Sequence, residues 1–119
     1  MDKKSVLIVD DDMKFAENLG RYLSIIGYKV NAVGTGESAF KVIENDKPDI
    51  LLCDLKLSDM DGDRIVKKVK EISPKTALFI ISAYIDPYVE ERLQGQGISF
   101  IKKPVLFDDV VELFKKAIP

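Results

Sequence analysis

The chain has 119 residues, of which 46% are hydrophobic and 32% are charged, and its formal net charge is −2. This size and balance predict one globular domain over residues 1–119. The small net charge does not favour binding of nucleic acid or a membrane surface by this domain. No stretch approaches the roughly 20 apolar residues that a membrane-spanning helix needs.

The residue types that the chain lacks restrict its chemistry further. It contains no histidine, which excludes a Ser-His or Cys-His nucleophile and any His-ligated zinc site. A bound metal would therefore be an oxygen-preferring ion such as Mg²⁺, Mn²⁺ or Ca²⁺. The single cysteine, Cys53, cannot form an internal disulfide, and the first residues do not resemble a signal peptide. We therefore expect a cytoplasmic protein.

Apolar runs and helical periodicities alternate along the chain. Strands are predicted near 5–9, 28–33, 49–53, 77–82 and 98–102, and helices near 13–26, 36–45, 62–72, 87–95 and 105–118. The first helix is expected to end at Gly27 and to bury a stripe made of Phe15, Leu19, Leu23 and Ile26. The alternation of strands and helices predicts a doubly wound α/β fold with helices on both faces of a parallel sheet.

The apolar pattern of the strands predicts their order in the sheet. The first, third and fourth strands are continuously apolar, as expected when helices cover both faces. The second strand alternates apolar with polar residues and the fifth is mixed, so these two are assigned to the edges. The order 2-1-3-4-5 satisfies these assignments and is the flavodoxin-like arrangement, whose ligand crevice lies at the carboxyl ends of the first and third strands.

Polar side chains suited to phosphate chemistry follow four of the predicted strands. Asp10 and Asp11 follow the first strand and Asp54 the third, while Ser82 ends the fourth and Lys103 follows the fifth. Three carboxylates at one sheet edge repel each other unless a cation neutralises them, and Mg²⁺ is suited to that role. With a hydroxyl and an ammonium beside them, they would form a site for phosphoryl transfer to a carboxylate.

Each of these residues also has an ordinary structural interpretation. Asp11 or Asp12 could cap the first helix, and Asp54 could cap the element after its strand. Ser82 alone would more often be a turn hydroxyl, and Lys103 a solvated surface lysine. Cys53 is interpreted as a buried strand residue. Only the joint placement on four strand ends favours a functional site.

The motifs that carry this pattern resemble those of a known family. They are Val9-Asp10-Asp11, the stretch from Asp54 to Gly62, Ser82-Ala83 and Lys103-Pro104. In this order and spacing, the chain resembles, over essentially its whole length, the receiver domain of bacterial two-component response regulators. The resemblance implies a signalling switch and not an enzyme with a separate substrate, although the domain contributes to its own phosphorylation and dephosphorylation.

The resemblance also implies roles for individual residues. Asp54 would be the phosphoacceptor. Mg²⁺, with Mn²⁺ as an alternative, would be held by Asp10, Asp11, Asp54 and the backbone carbonyl of Lys56.

The remaining implied roles concern the response to phosphorylation. Ser82 would contact the phosphoryl group, Lys103 would pair with it, and Phe100 would be the switch aromatic. The donor would be a sensor histidine kinase or a histidine phosphotransfer protein, since this chain has no histidine of its own. The changed surface, formed by helix four, strand five and helix five, would act on an effector protein or an output domain.

The chain departs from the family pattern at several positions. Ser58 replaces the usual proline four residues after Asp54, which predicts a less rigid loop. The stretch before Phe100 is one residue tighter than usual, and Gly95 and Gly97 leave the fourth helix weakly specified. Phe100 lacks a hydroxyl, while Lys56 and Tyr84 occupy positions that tune the phosphorylation and hydrolysis rates in the family.

Other functions fit parts of the sequence. Residues 34–39 match G-x-G-x-x-A, with Asp54 twenty residues beyond Gly34 (54 − 34 = 20), as in a dinucleotide-binding module. The acidic residues at 59–63 resemble a calcium loop, but Leu57 and Lys68 would stand where that loop needs carboxylates. The D-x-D pattern of aspartyl phosphatases fails at Lys56. A degenerate receiver that serves only as a protein-interaction scaffold is the remaining alternative.

Overall fold

The computed structural model describes residues 3–118, so the predicted domain ends at residues 1 and 119 lie outside the described part. The strands are β1 (Ser5–Val9), β2 (Lys29–Val33), β3 (Ile50–Asp54), β4 (Ala77–Ser82) and β5 (Ser99–Lys102). The helices are α1 (Met13–Ile26), α2 (Gly36–Asn45), α3 (Gly62–Ile72), α4 (Pro87–Gly95) and α5 (Phe107–Ala117). The predicted alternation of strands and helices is confirmed.

The five strands form one parallel sheet in the order β2-β1-β3-β4-β5. The flavodoxin-like fold and the assignment of β2 and β5 to the edges are therefore confirmed. The register aligns Val9 of β1 with Cys53 of β3, and Ser82 of β4 with Lys102 of β5. Because all strands run in the same direction, their carboxyl ends meet at one edge of the sheet.

Two apolar layers cover the sheet, one on each face. On β1, Val6 and Ile8 pack with α1 and α5, whereas Leu7 and Val9 pack with α2, α3 and α4. Successive strand residues point to opposite faces, so a strand covered on both sides must be apolar throughout. This explains the unbroken apolar runs of β1 and β3, where every residue from Ile50 to Asp54 is buried.

The predicted stripe of α1 is partly wrong. Leu19 and Leu23 are buried with Ala16, but Ile26 is 44% exposed. Ile26 has nearly the same angular position around the helix axis as Leu19, but it is the last residue of α1 and lies beyond Leu23, the last buried residue of the helix. Gly27 ends the helix as predicted, with a φ of 125° and its N–H bonded to the carbonyl oxygen of Leu23.

Helix α5 begins two residues later than predicted. Leu106 is the residue before the helix and has extended backbone angles, with φ −88° and ψ 138°. A four-residue loop from Lys103 to Leu106 therefore separates β5 from α5. Pattern alone did not separate this loop from the helix, because Val105 and Leu106 are as apolar as the helix itself.

Candidate functional site at the carboxyl edge of the sheet

Lys103 joins the acidic residues of two central strands. Its ammonium Nζ lies 2.8 Å from Oδ2 of Asp10, directly after β1, and 3.1 Å from Oδ2 of Asp54, the last residue of β3. Asp10 is completely buried, Asp54 is 7% exposed, and the Lys103 side chain is 21% exposed. The predicted convergence of β1, β3 and β5 on one site is thus present as direct contacts.

Burial and charge act in opposite directions on these groups. Burial raises the pKa of the Asp10 carboxyl above its ordinary value, although Lys103 and a hydrogen bond from the Asp12 amide oppose the rise. For Lys103, burial lowers the pKa, but the hydrogen bonds and charges of Asp10 and Asp54 together outweigh it and the net shift is upward. Lys103 therefore stays cationic and acts as the counter-charge of the two carboxylates.

Three carboxylates at this edge fit a divalent cation. Asp10, Asp11 and Asp54 each offer an oxygen, and these atoms lie within 4.8 Å of one another. Asp11 is exposed whereas the other two are buried, so the group opens to solvent on one side. An all-oxygen set of this kind suits Mg²⁺ or Mn²⁺, which bind a few carboxylates and keep water ligands. The site's donor chemistry therefore matches the predicted metal.

Asp12 has a different role. Its side chain accepts a hydrogen bond from the Phe15 amide at 3.1 Å and caps the start of α1, which was one of the two predicted caps. Its own amide donates to Oδ1 of Asp10 at 3.0 Å. Asp12 therefore holds one oxygen of the Asp10 carboxylate and Lys103 holds the other, so both oxygens are engaged.

Lys56 lies two residues after Asp54, the phosphoacceptor candidate, and contacts its carboxylate. Its backbone amide donates to Oδ1 of Asp54 at 3.1 Å, while Lys103 holds the other oxygen. The Lys56 side chain is exposed and lies 3.5 Å from Oδ1 of Asp61. Both Asp54 oxygens are thus oriented by the chain, and the Lys56 backbone stands next to the acidic group.

Ser82 and Phe100 lie on the neighbouring strands. Ser82 is fully buried, and its Oγ accepts a hydrogen bond from the Tyr84 amide at 3.1 Å. Its carbonyl oxygen accepts from the Lys103 amide at 2.9 Å. Phe100 is half-buried on β5 and packs against the α2–α3–α4 layer. Phe100 is the second residue of β5 and pairs with Ile80, so it lies outside the polar cluster at the carboxyl ends of the strands.

Sequence reasoning missed the role of Phe15, which it assigned only to the apolar stripe of α1. Its ring centre lies 5.0 Å from the Lys103 Nζ, which is a cation–π contact. It also forms an edge-on contact with Phe107 of α5, and both rings line an apolar groove of about 350 Å³ beside Lys103. The available signal was its position in the first turn of α1, three residues after the cap Asp12.

The glycine motif of α2 is occupied by the protein's own side chains. Met13 Sδ lies 3.0 Å from a Cβ placed on Gly34, and the end of the Met60 side chain covers Gly36. Thr35 caps α2 by accepting a hydrogen bond from the Ser38 amide at 3.1 Å. These glycines therefore allow close packing of the two methionines. The space in which a dinucleotide-binding module would hold phosphates is occupied by those side chains, which counts against that interpretation.

The acidic residues of the calcium-loop alternative have separate partners. Asp59 bonds to amides of α2, Asp61 pairs with Lys56, and Asp63 pairs with Arg92. Among residues 3–118, the carboxylates gathered as a possible metal group are those of Asp10, Asp11 and Asp54. The calcium loop is thus rejected on geometry as well as on sequence.

Within the same described range, no helix is both long enough and apolar enough to cross a bilayer.

Comparison with known proteins identifies similar sequences and structures. The family model described as "Response regulator receiver domain" matches residues 6–115. A cyclic di-GMP phosphodiesterase of Thermotoga maritima is 37% identical over 85% of this chain and 27% of its own length. The transcriptional regulatory protein ZraR of Escherichia coli K12 is 29% identical over 98% of this chain and 27% of its own length.

A solved structure is similar over its whole fold. The receiver domain protein (CheY-like) of Methanospirillum hungatei has a TM-score of 0.90 and 28% sequence identity, covering 97% of this chain and 93% of that one. The chain spans only about a quarter of the length of the two curated relatives above. The similarity therefore concerns only part of each of those two proteins.

Proposed function

This chain belongs to the response regulator receiver domains of two-component signalling, and on that premise we propose that Asp54 accepts a phosphoryl group from a phosphohistidine of a partner protein. The donor would be a sensor histidine kinase or a histidine phosphotransfer protein. In the transfer, the bond between phosphorus and the imidazole nitrogen breaks and a bond to a carboxylate oxygen of Asp54 forms. Residues 1–119 would act as one receiver unit.

The observation that carries this proposal is the bridge that Lys103 makes between Asp10 and Asp54. A carboxylate is a competent nucleophile toward phosphorus only when its negative charge and that of the incoming group are compensated. Lys103 supplies one positive charge at hydrogen-bond distance from the reacting carboxylate. The Lys56 amide holds the other oxygen of Asp54, so the nucleophile is oriented before the donor arrives.

We propose that Asp10, Asp11 and Asp54, with the backbone carbonyl of Lys56, hold Mg²⁺, for which Mn²⁺ could substitute. When bound, the ion supplies additional charge neutralisation for the phosphoryl oxygens. The support is the all-oxygen cluster within 4.8 Å. The chain's own contribution is to hold Asp10 with the Asp12 amide and Asp54 with the Lys56 amide.

We propose that Ser82 and Phe100 respond to the added phosphoryl group. Ser82 Oγ accepts only an amide hydrogen bond in this state, so its own O–H remains available to donate to a phosphoryl oxygen. A shift of Ser82 would let Phe100 move from the surface of β5 toward the space behind Ser82. The equilibrium between two conformations of the surface formed by α4, β5 and α5 would then shift. An effector protein or an output domain would recognise the conformation favoured by phosphorylation.

Phosphotransfer to the Asp54→Asn variant tests the assignment. Wild-type protein incubated with phosphoramidate and Mg²⁺ should gain one phosphoryl group in its intact mass, whereas Asp54→Asn should gain none. Asp46→Asn, which removes an exposed carboxylate after α2, should be labelled like the wild type. Undiminished labelling of Asp54→Asn would overturn the assignment of the acceptor. A wild type that is never labelled would support the scaffold alternative instead.

A further inference from the structure

Asp59 ties the loop that follows the phosphoacceptor to another helix. It lies between β3 and α3, and its carboxylate accepts two backbone hydrogen bonds from α2. Oδ1 accepts from the Gly36 amide at 2.9 Å and Oδ2 from the Glu37 amide at 3.0 Å. Amides in the first turn of a helix have no acceptor inside the helix, and the positive end of the helix dipole lies there. A carboxylate that accepts two such bonds is a strong attachment point.

The electrostatics agree with the geometry. The two amide hydrogen bonds lower the pKa of the exposed Asp59 carboxyl below its ordinary value. A second contact joins the same two elements, because the end of the Met60 side chain lies directly over Gly36. The absence of a side chain at Gly36 is what permits this approach. The loop is therefore held against α2 by both a polar and an apolar contact.

Backbone pairing transmits this attachment to Lys56. Lys56 and Asp61 form an antiparallel bridge, and the Leu57 amide donates to the Met60 carbonyl oxygen at 3.1 Å. Residues 57–60 thus form a tight turn with Asp59 at its tip. Lys56 and Asp61 are paired at the base of this turn, and Asp59 is at its tip. A displacement of Asp59 would therefore be passed along the turn to Lys56. Lys56 in turn donates to the Asp54 carboxylate.

The loop has weaker restraints elsewhere. Asp61, the residue before α3, makes no side-chain cap hydrogen bond. Its ion pair with Lys56 joins two side chains that are each 59% exposed, at 3.5 Å, and such pairs contribute little to stability. The attachment of Asp59 to α2 is therefore the main polar restraint that reaches this loop from another helix.

We propose that Asp59 is a positioning residue that sets the place of the Lys56 carbonyl relative to Asp54. The inference rests on the proposed function, because it takes that carbonyl to be a ligand of Mg²⁺. Asp59 is not one of the three carboxylates of the acidic group, and both of its oxygens accept hydrogen bonds from α2. It acts by holding the loop against the start of α2.

Calorimetric titration of Mg²⁺ into the wild type and its variants tests the inference. Asp59→Ala should bind Mg²⁺ roughly tenfold more weakly than the wild type, the lower end of the effect seen when a residue that orients a metal ligand is removed. Thr35→Ala is the matched control. It removes the ordinary cap of the same helix but leaves the loop attached, so its affinity for Mg²⁺ should equal that of the wild type.

A direct measurement of the attachment accompanies the titration. Hydrogen exchange of the Gly36 and Glu37 amides should accelerate in Asp59→Ala, and Asp59→Asn, which keeps one acceptor oxygen, should restore part of the Mg²⁺ affinity. Equal Mg²⁺ affinity in Asp59→Ala and the wild type would overturn this inference alone. Equal weakening in Thr35→Ala would also overturn it, because helix stability would then be the cause. If the wild type bound no Mg²⁺, the proposed function would fall together with it.

Discussion

At the scale of single residues, the charge on Lys103 is held by two carboxylates of unequal exposure. Asp10 is completely buried and cannot be solvated if its partner is lost, whereas Asp54 keeps a small exposed fraction. Truncating one member of a buried ion pair leaves an uncompensated charge, and that cost exceeds the net contribution of the pair itself. The site is therefore more sensitive to loss of Lys103 than to loss of a surface lysine.

Lys103→Met should destabilise the metal-free protein by about 1–3 kcal/mol. This is less than the 3–5 kcal/mol measured for breaking fully buried pairs, because one fifth of the Lys103 side chain is exposed. Added Mg²⁺ should recover part of the loss by neutralising the same carboxylates, and phosphorylation should persist with a weakened output. Urea unfolding with and without Mg²⁺ measures the stability change.

The neighbouring Lys102→Met is the control for this experiment. Lys102 pairs with Glu90 on the surface and its side chain is 56% exposed, so its loss should change the free energy of unfolding by less than about 1 kcal/mol. Equal losses in the two variants would contradict the role assigned to Lys103.

The carboxyl of Asp59 predicts a stability change with pH. Its pKa is lower in the folded protein than in the unfolded chain, because two amides of α2 stabilise the charged form. Its contribution is therefore fully present above the unfolded pKa of about 3.9 and is lost as the pH falls through the folded value. The difference in unfolding free energy between wild type and Asp59→Ala should stay constant from about pH 7 to pH 5 and shrink below about pH 4.

Thr35→Ala again supplies the comparison, since threonine does not titrate in this range. Removal of this helix cap should cost about 1 kcal/mol at every pH. Urea unfolding at a series of pH values measures both differences. A difference for Asp59→Ala that grew on acidification would refute the assignment of the charged form.

The sequence predicted those residues of the site that stand at the ends of apolar runs, because such runs mark the strands. Asp10, Asp54, Ser82 and Lys103 each follow or end an apolar run, and parallel strands bring such positions together. Asp59 gave no comparable signal, because its partners lie 22 and 23 residues earlier in another helix. An exposed aspartate in a loop has the same sequence appearance whether it faces solvent or holds a distant helix.

At the scale of elements, α4 is the helix with the fewest buried residues. Leu93 is its one fully buried residue, whereas α1 buries Ala16, Leu19, Gly20 and Leu23. The start of α4 is secured by the Asp86 side chain, which accepts from the Val89 amide at 2.9 Å. The stability of α4 therefore depends strongly on the backbone preferences of the residues at its C-terminal end.

Gly95 and Gly97 should respond in opposite ways to substitution by alanine. A side chain at either position would meet open space, but only Gly97 has a positive φ, of 71°. Gly95→Ala should stabilise the protein by about 0.5–1 kcal/mol, because alanine favours the helical state and restricts the unfolded chain. Gly97→Ala should destabilise it by at least about 1 kcal/mol, since L-residues rarely adopt that conformation.

Thermal unfolding of the two variants measures both effects, and each serves as the control of the other. The same sign for both substitutions would contradict the backbone assignment at the end of α4. Hydrogen exchange would locate the change, because Gly95→Ala should slow exchange at the amides of α4 that open locally as well as at amides that exchange only through global unfolding.

The elements were predictable where burial imposes a pattern and less so where it does not. The continuous apolar runs of β1 and β3 indicated central strands, since both faces of each are covered. The start of α5 could not be located in the same way, because the loop residues Val105 and Leu106 are apolar without being part of the helix. Leu106 is 71% exposed, a property that hydrophobicity alone does not reveal.

At the scale of the whole molecule, the single Cys53 reports unfolding. It lies in the central strand β3, its side chain is inaccessible, and burial raises the pKa of its thiol well above the ordinary value. A thiol reagent can therefore react only after the sheet opens. At a Mg²⁺ concentration 100 times the dissociation constant, the opened fraction should fall by about 100-fold, and labelling of Cys53 should slow by a similar factor.

Labelling followed by mass spectrometry over a range of Mg²⁺ concentrations tests this expectation. Asp11→Ala, which removes the exposed carboxylate of the acidic group, should abolish most of the Mg²⁺ effect. Labelling of the folded protein at the rate of an unfolded chain would contradict the burial of Cys53. A Mg²⁺ effect of equal size in Asp11→Ala would contradict the assignment of that ligand.

The two edge strands of the sheet, β2 and β5, determine how readily the sheets of two molecules could pair with each other. β2 and β5 each pair with a single neighbour, so each has a row of backbone groups that could extend the sheet into a second copy. β5 is only four residues long and ends in the charged Lys102, while β2 exposes Lys29 and Asn31. Short edges that carry lysine are poor templates for amyloid-like stacking. The two edges of this sheet are therefore poor starting points for fibre growth by strand pairing between copies.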